Sequence, residues 1–143
     1  MNDLLGFHHV AVTIRDLDAS VAWYKELLGF EELFSEDAPD RRACVMKFPN
    51  GSFGVGLVEY PTVPFEAFDP RHSGLDHLAF TVDTLEGIRD WATKLSGAGV
   101  IHSGVIEIPS GAILNFKDPD GLALALFWER AQPPTESAPA DLL

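Results

Sequence analysis

The sequence predicts an α+β protein built from two βαβββ modules. Three observations predict it: an internal repeat, a strand-then-helix pattern that opens each copy, and turn signals that cut the remainder into short strands. Sliding the chain on itself by 68 positions lays "HVAVTIRDLDASVAWYKELLG" (His9 to Gly29) over "HLAFTVDTLEGIRDWATKLSG" (His77 to Gly97). Seven of the 21 aligned positions are identical: His9/His77, Ala11/Ala79, Thr13/Thr81, Leu17/Leu85, Trp23/Trp91, Leu27/Leu95 and Gly29/Gly97. Chance would give roughly one or two, so the chain carries two copies of one supersecondary unit.

Each copy opens on a strand with two unlike faces. Val10, Val12 and Ile14 alternate with His9, Ala11 and Thr13; Leu78, Phe80 and Val82 alternate with His77, Ala79 and Thr81. The large apolar face needs a cover, and a helix follows to supply it. Asp16 and Thr84 suit the N-cap. Leu17, Val21, Tyr24 and Leu28 then recur at helical spacing, as do Leu85, Ile88, Trp91, Ala92 and Leu95. Gly29 and Gly97 are placed to end the helices in a left-handed conformation.

Three short strands complete each copy. They read "EELFSE", "ACVMKFP" and "FGVGLVEY" in the first, and "VIHSGVIEI", "GAILNFK" and "LALALFWE" in the second. "PNGS" and "DPDG" mark the hairpin turns. The first module thus covers residues 5–60 and the second 75–130. Residues 61–74 form a proline-rich linker, and the Pro/Ala-rich tail, residues 131–143, is expected to be mobile.

Bulk composition narrows the function classes. The chain has 143 residues and a net charge of -12, from 10 basic and 22 acidic side chains. Nucleic acid is not an expected partner, because phosphate neutralisation needs clustered Lys and Arg. Neither is an anionic membrane surface. One cysteine, Cys44, excludes a disulfide framework within the chain. The N-terminus has no basic flank with a long apolar run, so a cytoplasmic protein is expected. Cys44 reads as a small buried apolar residue. Trp23 and Trp91, at matching repeat positions, read as helix packing residues.

In "HHVAVTIRDLDASVAWYKELLGF", "DHLAFTV" and "NFKDPDGLALALF" the chain resembles the vicinal oxygen chelate superfamily, also called glyoxalase/bleomycin-resistance/extradiol-dioxygenase proteins. The resemblance covers about residues 7 to 130. It implies that the two modules form a curled mixed sheet around a cleft, with helices on the outer face, commonly in a homodimer. It also implies metal ligands: a His on the first strand of each module and a carboxylate on the last strand of the second. A further group sometimes stands on the last strand of the first.

Carried over residue by residue, His9 and His77 fall on the two histidine positions. The carboxylate position, four residues after the Gly of "DPDG", holds Ala125, and the fourth position falls on Gly56. This chain keeps both histidines and lacks both other groups. Two imidazoles alone make a weak divalent site, since catalytic sites commonly have three protein ligands plus water. Glu129 lies about 13 Å beyond Ala125 at roughly 3.3 Å per residue. Glu59 has the parity of the opposite face from Gly56. Glu107 is the best substitute ligand by residue type, with its direction open. His8 is expected on the helix side or in solvent, and His72 and His102 on loops or strand edges.

Two readings of the small residues stand side by side. Ala11, Ala79, Ala123, Ala125, Gly54 and Gly56 would either floor a roomy pocket or relieve crowding between curled strands. The leading functional expectation is a small-molecule-binding protein that holds a partly apolar organic ligand and uses no cofactor, or only a weakly bound divalent metal. His9, His77, Thr13, Thr81 and Asn115 would supply polar contacts, and Phe48, Phe53, Ala125 and Phe127 the apolar lining. The alternative is a divalent-metal lyase, isomerase or dioxygenase using His9, His77 and an unconventional third ligand such as Glu107. A third class is a structural or regulatory dimer with a filled cleft.

Overall fold

The structure is a computed structural model that describes residues 3–131. All but the first residue of the expected mobile tail lies outside the described residues. The chain divides into two compact units, one of residues 3–69 with 119–122 and the other of residues 70–118 with 123–131. The division falls inside the proline-rich connection, and the "DPDG" turn is shared across it: Asp118 goes with the second unit and Pro119, Asp120 and Gly121 with the first.

The first unit runs β1 (His9–Thr13), α1 (Leu17–Leu28), β2 (Glu31–Ala38), β3 (Arg41–Lys47) and β4 (Gly54–Glu59). Its sheet has the order β1-β4-β3-β2, with β1 parallel to β4 and the other pairs antiparallel. The second unit repeats the plan with β5 (Leu78–Thr81), α2 (Leu85–Gly97), β6 (Ile106–Ile108), β7 (Gly111–Lys117) and β8 (Ala123–Glu129). Its order is β5-β8-β7-β6, again with the first strand parallel to the last. Each unit is therefore the expected βαβββ module with one mixed sheet. The parallel pair follows from the connection: the first strand is followed by a helix, which crosses over the sheet before the meander begins.

The helix caps obey the sequence signals, with one exception. Asp16 accepts a hydrogen bond from the Ala19 N–H at 3.0 Å, and Thr84 from the Gly87 N–H at 2.9 Å. Gly29 takes φ 76° and closes α1 through its N–H to Lys25. Gly97, however, is the last residue of α2 rather than its left-handed cap. Ala98 is the cap at φ -87°, and Gly99 takes the left-handed conformation at φ 73°. Of the two glycines, the later one meets the left-handed requirement, and Val100 then bonds back to the Leu95 carbonyl.

The buried face of α1 is Leu17, Ser20, Tyr24 and Leu27, and α1 packs on β2, β3 and β4. The buried stripe runs through Leu27 rather than Leu28, which shifts the helix slightly about its axis from the predicted face. A chain of rings extends this core: Tyr24 meets Phe30 edge-on at 5.9 Å, Phe30 meets Phe48 at 4.5 Å, and Phe48 meets Phe53 at 6.3 Å. In the second unit, Ile88 and Leu95 of α2 are fully buried, as is Leu114 of β7, with Leu124 of β8 nearly so. Truncating any of these to Ala removes packed volume that the surroundings cannot refill, at a cost of about 2–5 kcal/mol.

The second module's first meander strand is shorter than its sequence suggests. "VIHSGVIEI" reduces to β6, three residues long, preceded by a single bridge between His102 and Phe116. Gly104, at φ 73°, interrupts the run. In contrast, β2 outgrows "EELFSE" and reaches Ala38, with a register shift between Glu32 and Phe34.

Candidate functional site

Each unit presents a sheet face opposite its helix, and the strand that opens the module sets that face. In the first unit β1 alternates as predicted, with Val12 buried and His9, Ala11 and Thr13 exposed. The parallel register lays His9 beside Gly54, Ala11 beside Gly56 and Thr13 beside Val58. Residues paired across neighbouring strands share a face, so the glycines flank the histidine strand. A Cβ on Gly56 would stand 2.9 Å from the Cβ of Ala11 and 3.4 Å from Cδ2 of His9. On Gly54 it would stand 2.8 Å from the Met46 carbonyl oxygen. For these two positions the crowding explanation of the small residues holds: the space that a side chain would need is already taken.

In the second unit the same alternation gives buried Leu78 and Phe80 against exposed Ala79 and Thr81, with His77 immediately before them and exposed. Ala125 pairs with Ala79 on one side and Asn115 on the other. Thr81 pairs with Phe127, which pairs in turn with Ile113. Thr81, Ala125, Asn115 and Phe127 therefore share one sheet face by parity, and His77 continues that alternation one residue before β5. Ala125 is only 3 % exposed.

Several expectations are corrected. Glu107 pairs with Ala112, which alternates with Ile113, so it lies on the helix side of the sheet. There its Oε1 accepts from the Arg89 guanidinium of α2 at 2.8 Å. It is turned away from the face of Ala125 and is not a third ligand beside His77. Phe48 and Phe53 join a run of ring contacts between Phe7 and Tyr24 of α1, and, next to Lys47 and Gly54 on the histidine face, they have the parity of the helix side. His8 is exposed, as expected, and its Nδ1 lies 2.7 Å from Nδ1 of His9, so one ring donates to the other. Glu59 does point to the helix side, as its parity demands, and accepts from the Leu17 N–H at 3.1 Å and from Arg42 at 3.2 Å.

The remaining histidine contacts define proton positions. His102 accepts the Gly104 N–H on Nδ1 at 3.0 Å, so in the neutral ring its proton sits on Nε2, 2.7 Å from the Ser96 hydroxyl. Nδ1 of His77 lies 2.6 Å from Oδ1 of Asp76. Sequence reasoning passed over Asp76, although the dipeptide "DH" opening the second copy was its visible signal.

A divalent metal needs more ligands than the described residues bring together. The two expected non-histidine positions are Gly56 and Ala125, and Glu107 is committed to Arg89. Among the described residues, no three His, Cys, Asp or Glu side chains come together in a way that could hold a metal ion. The donor set does not fit the three-ligand centre that the resemblance implies.

A groove of 410 Å³ opens elsewhere, on the helix side of the first sheet between α1 and β2–β3. Leu17, Val21, Lys25, Glu32, Arg42 and Cys44 are among its walls. Its two basic side chains are paired with acids: Arg42 with Asp18, Asp37 and Glu59, and Lys25 with Glu32. Hydrogen bonding to Asp18 raises the Arg42 guanidinium above its ordinary pKa. Cys44 is 2 % exposed, and burial pushes its thiol pKa up, which favours the unreactive protonated form. No helix among the described residues is long and apolar enough to cross a membrane.

Comparison with known proteins agrees with the two-module plan. The chain is 30% identical over 127 residues to the uncharacterized protein YwkD of Bacillus subtilis (strain 168), covering 87% of this chain and 97% of that one. It is 30% identical over 132 residues to the uncharacterized protein YaeR of Escherichia coli (strain K12), covering 89% and 98%. Among solved structures, a glyoxylase/bleomycin resistance protein/dioxygenase domain from Frankia sp. EAN1pec superposes with a TM-score of 0.82 at 34% identity, covering 90% of this chain and all of that one. A family model matches residues 6–126, and the chain belongs to the Glyoxalase/Bleomycin resistance protein/Dioxygenase superfamily.

Proposed function

We propose that this protein binds a small, partly apolar organic molecule at its histidine-bearing sheet faces, without a complete metal centre of its own. One observation carries the reading: the position that the family pattern gives to a metal-binding carboxylate is Ala125, and the candidate substitute Glu107 is paired with Arg89 on the other side of the sheet. The face that remains in the second unit combines the small and aromatic surface of Ala79 and Phe127, over the buried Ala125, with the polar groups of His77, Thr81 and Asn115. That mixture suits a ligand with an apolar body and one or two polar substituents, because apolar area supplies affinity and a few polar groups fix orientation.

The metal-dependent lyase, isomerase or dioxygenase reading needs a third ligand that nothing in the described residues offers. Elemental analysis of protein purified without a His tag separates the two. Less than about one-tenth of an equivalent of Fe, Mn, Ni or Zn is expected, which is the weak occupancy of a two-imidazole site. Near-stoichiometric metal, lost in both His9→Ala and His77→Ala, would replace the binding reading with the metalloenzyme one.

A further inference from the structure

The histidine that opens the second module is held by its neighbour. Asp76 Oδ1 and His77 Nδ1 are 2.6 Å apart, the distance of a strong hydrogen bond. An ionised carboxylate can only accept, so the shared proton belongs to Nδ1. A neutral imidazole carries one N–H, so Nε2 of His77 is then a bare lone pair. The other histidines with ring contacts differ. His102 accepts on Nδ1 and carries its proton on Nε2. The His8–His9 pair puts a proton between two nitrogens, and either ring can be its donor.

We propose that Asp76 is a positioning residue that locks His77 in the Nδ1–H tautomer, so that His77 offers a ligand a hydrogen-bond acceptor. The inference rests on the binding reading above and adds the ligand's chemistry: beside the apolar surface of Ala79 and Phe127, the molecule presents a hydrogen-bond donor, such as a hydroxyl, to His77. A carbonyl or carboxylate placed there would meet lone pair with lone pair. Orientation by a carboxylate on the far ring nitrogen is the general means by which proteins fix which imidazole nitrogen does chemistry.

The tautomer is read directly from two-bond proton–nitrogen correlation spectra of the imidazoles at pH 8.5, about two units above the ordinary histidine pKa. The His77 signals are assigned by their loss in His77→Gln. The native protein is expected to show His77 protonated on Nδ1. Asp76→Ala should move it toward the Nε2–H form that an unrestrained imidazole favours, and Asp76→Asn, whose amide oxygen still accepts, should retain the native form at least in part. His77 in the Nε2–H form in the native protein, or an unchanged tautomer in Asp76→Ala, overturns the assignment. Ligand chemistry is tested with 2-naphthol against 2-methoxynaphthalene, which differ by the donor. The naphthol is expected to bind tighter by about fivefold, as one net hydrogen bond allows, and the preference should vanish in Asp76→Ala. Equal binding of the two probes, or the same preference in Asp76→Ala, overturns the donor rule. If the tautomer is as expected and neither probe binds, the binding reading and its hydroxyl preference fall together, while the Asp76–His77 assignment stands.

Discussion

The imidazole of His9 lies against Gly56, where an added Cβ would come within 3.4 Å of the His9 Cδ2. The same added atom would meet the Ala11 Cβ at 2.9 Å, closer than real Cβ contacts come. The strand that carries the histidine and the strand that could carry a further ligand are thus fitted to one another through the absence of a side chain. A missing functional group and a tight parallel strand pair are here the same feature.

Gly56→Ala should therefore destabilise the fold. Backbone and the Ala11 methyl cannot swing aside as a long side chain does, so the cost is that of overpacking, about 1–3 kcal/mol. Urea unfolding at pH 7 measures it. An unchanged midpoint would mean that the two strands separate freely, and the packing account of the glycine would then fail.

Glu59 provides a second link between sheet and helix. Its carboxylate accepts the Leu17 N–H, one of the unpaired amides of the first turn of α1, and also binds Arg42. A negative group at a helix N-terminus satisfies an orphan donor and meets the positive end of the dipole. Glu59→Ala should lower stability by about 1 kcal/mol through the lost cap alone. Glu59→Gln, which keeps an acceptor, should lose less. Equal losses in the two variants, read from urea midpoints, would assign the effect to charge rather than to capping.

Cys44 makes a pH-dependent prediction. Burial raises its thiol pKa above the ordinary value of 9.0. Below the unfolded-state pKa both states are protonated and the contribution to stability is fully present. As pH rises past it, the unfolded thiol ionises first, so stability falls until the folded pKa is reached. The native protein should therefore lose more stability between pH 8 and pH 10.5 than Cys44→Ala, which lacks the group; equal losses would remove the thiol from the account. Its reaction with a disulfide reagent at pH 8 should be at least about tenfold slower than in urea-unfolded protein.

The two-module plan was legible because the repeat preserved the residues that physics constrains most. Asp16 and Thr84 had to cap, and His9 and His77 had to alternate with large apolar neighbours. Parity alone also placed Glu59 correctly. What the sequence hid were choices between equivalent neighbours and contacts across elements. Gly97 and Gly99 both permit a left-handed backbone, and only the packed length of α2 selects the second. Glu107 looked available because nothing local reveals that Arg89, 18 residues earlier on α2, reaches it. Phe48 has the aromatic character of a ligand pocket, yet its ring is recruited by Phe30 from the other side of the sheet. Asp76 was visible as a neighbour of His77, but the hydrogen bond between them depends on side-chain direction at the start of a strand.

Ala125 supplies the most direct functional test. It is buried on the sheet face, between Ala79 and Asn115, and His77 lies two residues from Ala79 along the neighbouring strand. Ala125→Glu restores a carboxylate at the position of the family's ligand. In the absence of metal, the variant should be less stable, because a carboxylate enters a site that is 3 % exposed. Divalent cation binding should then return part of that loss, since a ligand taken up by the folded state alone stabilises by about 2.7 kcal/mol at one hundred times its dissociation constant. Thermal unfolding with and without zinc or manganese reads both effects. A metal-dependent rise in melting temperature in Ala125→Glu, absent from the native protein and from Ala125→Gln, is the expected result. If metal leaves the variant unmoved, Ala125 does not occupy the carboxylate position, and a metal ligand is not what this strand lacks.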